Sequence, residues 1–171
     1  PNKNWRVLDI GTGTGCIPIT IKKEFPLATV STIDVSVEAL EIAKENAVHL
    51  QADVTFIQQD ILQTEQLASY DIIISNPPYV RNLEKVEINE NVLQHEPHVA
   101  LFVDDHDPLI FYRKITQLAH NSLNEKGILF FEINQYLGIE MQDMISPYFS
   151  DLEFRKDFVG NDRMMKLSNK I

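Results

Sequence analysis

One segment near the start of the chain, Trp5-Arg6-Val7-Leu8-Asp9-Ile10-Gly11-Thr12-Gly13-Thr14-Gly15, runs from apolar residues into three glycines at alternate positions. The part Trp5–Ile10 is typical of a buried strand, and the apolar residues after the loop predict a helix to about Phe25. Pro18 falls in the first turn of that helix, where the missing N–H of proline costs little. A strand, a glycine loop and a helix in this order indicate a parallel α/β unit that binds a nucleotide-like cofactor at the loop.

The glycine loop does not have the pattern of a phosphate-binding loop. No Gly-Lys-Ser/Thr follows it, and Cys16 stands where a GxGxxG dinucleotide fingerprint needs its third glycine. Asp34, at the end of the next predicted strand, is placed to accept hydrogen bonds from a ribose diol. Asp60, after the third strand, could accept from an adenine amino group, with Ile61 packed on the ring. Considered separately, the glycines could form a plain tight turn, and Asp34 could be a carboxylate at the start of a helix. The spacing between them favours a joint role in binding the cofactor.

The rest of the chain alternates short β-branched runs with helical periods. Ser36 is expected to cap a helix whose apolar positions share one face, namely Val37, Leu40, Ala43, Ala47 and Leu50. The other predicted elements are strands at Thr29–Val35, Val54–Ile57, Tyr70–Ser75, Gly127–Ile133, Leu152–Phe158 and Met164–Leu167, and helices at Pro108–Ser122 and Ile139–Ile145. The alternation of β-branched runs with helical periods is interrupted from Ser75 to Asp107. This order predicts a parallel sheet covered by helices on both faces, with ligands beyond the ends of the first and fourth strands.

Composition limits the class of protein. The chain has 171 residues, which fits one domain of ~100 to 200 residues, with 44% hydrophobic and 23% charged residues. The net charge of -10 argues against nucleic acid as a partner, and no apolar run approaches the ~20 residues needed to cross a membrane. The single cysteine, Cys16, excludes an internal disulfide and fits a cytoplasmic location. Because the chain opens on Pro1, we expect it to be a piece of a longer protein.

A second motif, Asn76-Pro77-Pro78-Tyr79, follows the predicted fourth strand and should therefore lie beside the glycine loop. The two prolines lack N–H groups and fix φ near about -65°, so they present rigid carbonyl acceptors. Asn76 adds a side-chain carbonyl, and Tyr79 adds a flat aromatic face. These groups suit a planar NH₂ group, whose nitrogen they would orient and whose developing positive charge they would stabilise when the nitrogen acts as a nucleophile. The alternative is an ordinary proline turn.

The acid and glycine pattern resembles motif I of the class I S-adenosylmethionine-dependent methyltransferases. The resemblance implies a Rossmann-like α/β sandwich with a mostly parallel seven-stranded sheet, helices on both faces and an antiparallel last strand. It also implies that Asp9 and the loop backbone hold the methionine portion of S-adenosylmethionine, whose sulfonium cation suits an acidic pocket. The cofactor residues it implies are Asp9, Gly11, Thr12, Gly13, Thr14, Gly15, Asp34, Asp60, Ile61 and Asn76.

The Asn-Pro-Pro-Tyr motif resembles that of methyltransferases acting on planar nitrogens, and further segments narrow the resemblance to release factor glutamine methyltransferase. These segments are Val80-Arg81, Glu96-Pro97, Ala100-Leu101, Leu109 with Phe111-Tyr112-Arg113-Lys114-Ile115, and Asp157-Phe158-Val159-Gly160-Asn161-Asp162-Arg163. The resemblance implies that the substrate is the glutamine of the Gly-Gly-Gln motif of peptide chain release factors. It implies that Asn76 and the Pro77 carbonyl hold the glutamine amide and that Tyr79 packs against it. The product is S-adenosylhomocysteine, and the enzyme is expected to be a monomer.

The chain departs from this family in three respects. Residues 1–171 correspond to the catalytic domain, and the helical amino-terminal domain of the family is not in this chain. Val103-Asp104-Asp105-His106-Asp107-Pro108 replaces the usual Gly-Gly-x-Asp-Gly stretch, and Glu132-Ile133-Asn134 replaces the usual Glu-x-Gly. Both differences fall in loops near the substrate, outside the motif that transfers the methyl group.

Two other functions stay open at this point. One is methylation of an amino group in nucleic acid, adenine N6 or guanine N2, which the motif favours and the acidic charge opposes. The other is a cofactor-binding module without catalysis. No metal is expected: Pro97 keeps His95 and His98 off one regular helix face, and the acidic cluster from Asp104 to Asp107 lacks the glycine and distal glutamate of a calcium loop. Cys16 is expected to be a small buried residue behind the glycine loop.

Overall fold

The computed structural model describes residues 3–81 and 102–169. Its main sheet has seven strands in the order β3-β2-β1-β4-β7-β9-β8. The strands are β1 (Arg6–Ile10), β2 (Thr29–Asp34), β3 (Val54–Gln58), β4 (Tyr70–Ser75), β7 (Leu123–Glu132), β8 (Asp151–Lys156) and β9 (Asp162–Ser168). All pairs are parallel except those of β9, which runs antiparallel to both neighbours. The predicted mostly parallel sheet with an antiparallel last strand is confirmed.

Within residues 3–81 and 102–169, four helices cover the two faces of the sheet: α1 (Cys16–Glu24), α2 (Val37–His49), α3 (Ile110–Ser122) and α4 (Gly138–Ile145). Side chains of α1 pack with Val7 and Val30 on one face. The larger core lies on the other face, where α3 and α4 pack against Leu8, Ile73 and Leu129, all fully buried. A sheet covered on both faces explains why its central strands are apolar at consecutive positions.

The parallel register determines which loops meet. Strand β1 pairs with β4 so that Ile10 lies opposite Ser75, and with β2 so that Ile10 lies opposite Ile33. The segments that follow these three strands therefore leave the sheet at the same edge. This is the edge where α/β sheets bind ligands.

The structure differs from the prediction at several boundaries. Strand β7 begins at Leu123, not Gly127, and Leu123 pairs with Tyr70 through a register shift. In helix α2, Leu40, Ala43 and Ala47 are buried as expected, whereas Val37, the first residue of the helix, is 43% exposed. Leu50, which follows the last residue of the helix, is 47% exposed.

The described part of the stretch predicted to be irregular contains a small two-stranded sheet. Val80–Arg81 (β5) pairs in parallel with Phe102–Val103 (β6), and the residues between them are not described. Over the described ranges, none of the helices combines the length and apolar character that crossing a membrane requires.

Candidate active site

The glycine loop turns sharply at the end of β1 and brings its backbone close to β4. Gly11 has φ +88°, and a Cβ added to it would lie 3.4 Å from the backbone oxygen of Asn76. Gly15 has φ +84°, and its Cβ would lie 2.9 Å from Cδ1 of Ile19 and 3.1 Å from Cβ of Ala43. A side chain at Gly15 would therefore require Ile19 and Ala43 to shift, whereas at Gly11 it would be strained mainly by the positive φ angle.

Asp9 lies beneath this loop and is fully buried. The Thr32 hydroxyl donates to its Oδ2 at 2.7 Å, and the Thr12 hydroxyl bonds to that of Thr32. Its Oδ1 is buried and has no hydrogen-bond partner within the part of the chain that the structure describes. Burial, helped by the nearby charge of Asp34 and opposed by the Thr32 bond, raises the pKa of Asp9 to about 7. A positive charge placed nearby would therefore favour the ionised form of the Asp9 carboxyl group.

Asp34 ends β2 and connects the loop to helix α2. Its Oδ2 accepts the backbone N–H of Gly13 at 3.0 Å, and its Oδ1 accepts that of Ser36 at 2.9 Å. The side chain is only partly buried. Each carboxylate oxygen has more than one acceptor position, so these bonds leave Asp34 able to accept from a ligand as well.

The remaining predicted cofactor residues lie around this edge. Thr14 is exposed, and its backbone oxygen accepts from Nδ2 of Asn46 at 2.9 Å, which ties the loop to α2. Asp60 caps a short 3-10 turn at Ile61–Gln63, accepting from Leu62 N–H at 2.8 Å. Ile61 is 8% exposed and belongs to the main core, so little of its side chain is available to a ligand. Cys16 is exposed, so its predicted burial is wrong.

The Asn-Pro-Pro-Tyr motif begins where β4 ends. The Ser75 hydroxyl donates to the backbone oxygen of Ile10 at 2.7 Å, which anchors the start of the motif to β1. Asn76 is exposed, Pro77 is buried, and Pro78 and Tyr79 are partly buried. The glycine loop and the motif are therefore neighbours in space, as the order of strands predicts.

Sequence reasoning gave no role to a group of residues at the end of β7. The Tyr79 hydroxyl donates to Oε1 of Glu132 at 2.7 Å, and Asn134 Nδ2 donates to the backbone oxygen of Tyr79 at 2.9 Å. The Tyr112 hydroxyl donates to the backbone oxygen of Glu132 at 3.1 Å. The position of Glu132-Ile133-Asn134 at the carboxyl end of a central strand was the signal that could have identified them.

The acidic and histidine residues that could suggest a metal site either have other partners or lie outside the described residues. Asp107 forms two hydrogen bonds of 3.0 Å with the Arg113 guanidinium, which lowers the pKa of Asp107. His95 and His98 lie outside the described residues. Within residues 3–81 and 102–169, no three His, Cys, Asp or Glu side chains are grouped so as to hold a metal ion.

This edge fits a cationic nucleoside cofactor of the S-adenosylmethionine type. Gly11 allows close approach to the backbone, and the partly exposed Asp34 supplies carboxylate acceptors. Oδ1 of Asp9, which has no hydrogen-bond partner among the described residues, adds a buried acceptor near the loop. These acceptors agree with the cofactor that the resemblance to the class I methyltransferases implies.

Comparison with known proteins agrees with this geometry. A release factor glutamine methyltransferase from Flavobacterium psychrophilum is 56% identical over 97% of this chain, which spans 59% of that relative. The crystal structure of a ribosomal protein L11 methylase from Lactobacillus delbrueckii has a TM-score of 0.66 at 22% identity, covering 99% of this chain and 72% of that one. PKMT2 from Rickettsia typhi, in complex with AdoHcy, has a TM-score of 0.55 at 20% identity, covering 84% of this chain and 23% of that one.

The structural neighbours confirm the predicted Rossmann-like methyltransferase sandwich, and the named relative confirms the resemblance stated from the sequence. The family model for the methyltransferase small domain matches residues 1–100, which include the glycine loop, Asp34 and the Asn-Pro-Pro-Tyr motif. Because this match covers more than half of the 171 residues, the chain belongs to the methyltransferase small domain family.

Proposed function

We propose that residues 1–171 form the catalytic domain of an S-adenosylmethionine-dependent protein glutamine methyltransferase. Its substrate in this proposal is the side-chain amide nitrogen, N5, of the glutamine in the Gly-Gly-Gln motif of peptide chain release factors. The observation that supports it most is the meeting of the glycine loop with the Asn76 backbone at the ends of β1 and β4. The 56% identity to a release factor glutamine methyltransferase supports the choice of substrate.

The cofactor residues have distinct tasks in this proposal. S-adenosylmethionine, when bound, supplies a methyl group on a positively charged sulfur. Asp34 accepts from the ribose hydroxyls, while the loop from Gly11 to Gly15 offers close backbone contact. Asp9 contributes negative charge from beneath the loop, and Asp60 accepts from the adenine amino group. The predicted contact of Ile61 with the ring would use the small exposed part of its side chain.

Asn76 and Pro77 hold the substrate in this proposal. The lone pair of an amide nitrogen is delocalised, so the nitrogen is a poor nucleophile until it is oriented. The side-chain carbonyl of Asn76 and the backbone carbonyl of Pro77 each accept a hydrogen bond from the NH₂ group of the glutamine amide. Tyr79 packs against the plane of that amide. Acceptors fixed before the reaction stabilise the positive charge that develops on the nitrogen. Pro78 keeps this segment rigid because its ring restricts φ.

The location, oligomeric state and partner of the protein are also part of the proposal. We propose that the protein acts as a cytoplasmic monomer whose partner is the release factor. The single cysteine fits a reducing compartment, and the net charge of -10 supports a protein substrate over a nucleic acid.

The proposal is tested by transfer of labelled methyl groups. The full-length protein, labelled cofactor and a release factor should label one glutamine, and a release factor with that glutamine changed to alanine should stay unlabelled. Asn76→Ala should lower kcat by about 10²- to 10³-fold, because one positioned acceptor is lost. Asn121→Ala, at an exposed position near the end of α3, is the matched control. Equal labelling of the altered release factor, or label only in RNA or DNA, would reject the proposal.

Asp34→Ala separates binding from catalysis. The variant should weaken the binding of S-adenosylhomocysteine by about 10- to 100-fold, since charge-assisted hydrogen bonds are lost. Asp53→Ala, at an exposed position before β3, should bind like the wild type. Isothermal titration calorimetry measures both, and unchanged binding by Asp34→Ala would remove Asp34 from the cofactor site. If the protein bound S-adenosylhomocysteine but transferred no methyl group, and Asn76→Ala changed neither result, the module without catalysis would be the better interpretation.

A further inference from the structure

Tyr79 is attached to strand β7 and the residues after it at two points. Its hydroxyl donates to Oε1 of Glu132 at 2.7 Å, and its backbone oxygen accepts from Nδ2 of Asn134 at 2.9 Å. The partners are separated by 53 and 55 residues in the sequence, so these bonds are tertiary contacts. Together they fix both the ring and the backbone of the last residue of the Asn-Pro-Pro-Tyr motif.

The two partners are themselves held firmly. Asn134 is 4% exposed, and its Oδ1 accepts the backbone N–H of Tyr136 at 2.9 Å. The Glu132 backbone oxygen accepts the hydroxyl of the fully buried Tyr112. A buried donor or acceptor that loses its partner costs more than an exposed one, so this arrangement resists displacement.

The other end of the motif is anchored separately. Ser75 bonds to the backbone oxygen of Ile10, and the rings of Pro77 and Pro78 restrict the segment between the two anchors. The carbonyls of Asn76 and Pro77 therefore lie on a short segment that is fixed on both sides. Because the rings of Pro77 and Pro78 leave few backbone rotations free, movement at Tyr79 would be transmitted to these acceptors.

The protonation state of Tyr79 agrees with a holding role. Burial, with the hydrogen bond to Glu132, raises the pKa of Tyr79 to about 12. The phenol therefore stays protonated at neutral pH and keeps donating to Glu132. The nearby Arg163, whose Nε lies 3.4 Å from Asp157 Oδ2, opposes this rise without reversing it.

We propose that Glu132 and Asn134 are positioning residues, which hold Tyr79 and thereby set the geometry of the acceptor carbonyls of Asn76 and Pro77. The inference rests on the proposed methyl transfer to a planar amide, because that reaction needs acceptors at fixed positions. It assigns to this chain a role for Asn134, at the position where the resembling family usually has glycine. Neither residue needs to touch the substrate.

A double-mutant cycle on the full-length protein tests the role of Glu132. Glu132→Gln, Tyr79→Phe and the double variant are compared with the wild type, and kcat is expressed per site that binds S-adenosylhomocysteine. Tyr79→Phe removes the bond and should lower kcat by about 10-fold, the value of one hydrogen bond to a charged group. In Glu132→Gln the amide oxygen can still accept from the phenol but carries no charge, so kcat should fall by about 5-fold, the difference between a charged and a neutral hydrogen bond. The double variant should be no slower than Tyr79→Phe, because Glu132→Gln weakens only the bond that Tyr79→Phe removes. Affinity for S-adenosylhomocysteine should not change.

Two further variants complete the test. Asn134→Ala should lower kcat by about 10-fold without changing cofactor affinity, because the backbone of Tyr79 loses its donor. Glu125→Gln, exposed at the opposite end of β7, is the matched control and should keep wild-type kcat. A merely structural role would lower the melting temperature and the fraction of binding sites but leave kcat per site unchanged.

The outcomes separate this inference from the proposed function. If the wild type methylates the release factor but the two changes are additive, or kcat per site is unaffected, the inference is overturned and the proposed function stands. If the wild type transfers no methyl group to the release factor, the proposed function fails; if it transfers none to any amide, the inference fails with it. Loss of cofactor affinity in Glu132→Gln would also overturn it, because the change would then act on the cofactor site.

Discussion

Asp9 lowers the stability of the folded state when its buried carboxyl group is charged. Its carboxyl group is fully buried, and burial raises its pKa from 3.8 to about 7. The folded state therefore binds a proton that the unfolded state releases at a lower pH. The stabilisation from this protonation is complete below about pH 4 and is lost as the pH rises through about 7.

Asp9→Asn should remove this dependence, because asparagine is neutral and has nearly the same shape. At about pH 8 the variant should be more stable than the wild type by roughly 1 to 4 kcal/mol, and the difference should shrink as the pH falls towards about 4. Urea denaturation at several pH values measures this. The exposed Asp53→Asn is the control, and a constant difference at all pH values would contradict the explanation.

Two glycines with the same backbone conformation separate steric crowding from backbone strain. Gly15 has φ +84° and close neighbours at its Cβ position, whereas Gly160 has φ +93° and nothing within 4 Å. Gly160→Ala should cost about 1 to 2 kcal/mol, the price of a left-handed residue. Gly15→Ala should cost about 1 to 3 kcal/mol more, because the new methyl group meets Ile19 and Ala43. Equal unfolding free energies for the two variants would contradict this account.

At the level of elements, the sequence predicts best where the signal is local. Both ends of Tyr70–Ser75 are predicted correctly, because the apolar run stops at Asn-Pro. The start of β7 is missed, since Asn124, Glu125 and Lys126 are exposed and show no strand pattern. Their strand conformation depends on tertiary contacts, including the bond of 2.7 Å from Asn124 Nδ2 to Asp71 Oδ1.

The same distinction applies to the candidate site. The glycine loop, Asp34 and Asn76 are predicted because each belongs to a compact motif at a strand end. The contact of Tyr79 with Glu132 is not predicted, because only the folded sheet places β7 beside β4. The burial of Ile61 could not be predicted either, since it depends on core packing around the 3-10 turn.

Helix α2 offers a prediction at this level. The Ser36 hydroxyl oxygen accepts the Ala39 N–H at 3.1 Å and so satisfies one free donor at the start of the helix. Ser36→Ala should lower the unfolding free energy by about 1 kcal/mol, whereas Ser36→Thr should cost less because it keeps the hydroxyl. Chemical denaturation of the three proteins measures the effect. Equal losses in both variants would show that the cap contributes little.

For the whole molecule, stability comes mainly from the central strands, which the helices cover on both faces. Ile73 on β4 is fully buried, while Ile139 on α4 is 77% exposed. Ile73→Ala should cost about 2 to 5 kcal/mol, and Ile139→Ala should change stability by less than about 0.5 kcal/mol. Thermal or urea unfolding distinguishes them, and similar values would mean that the core is not where the structure places it.

The pairing of β1 with β4 also has a consequence for biosynthesis. Ser75 bonds to Ile10 across 65 residues, and Tyr79 bonds to Glu132 across a further 53. Contacts so far apart form only after the intervening polypeptide has left the ribosome. A nascent chain that ends before β7 would already carry both motifs but could not hold Tyr79 in place. Competence for catalysis should therefore arise only after β7 has been synthesised and has joined the sheet.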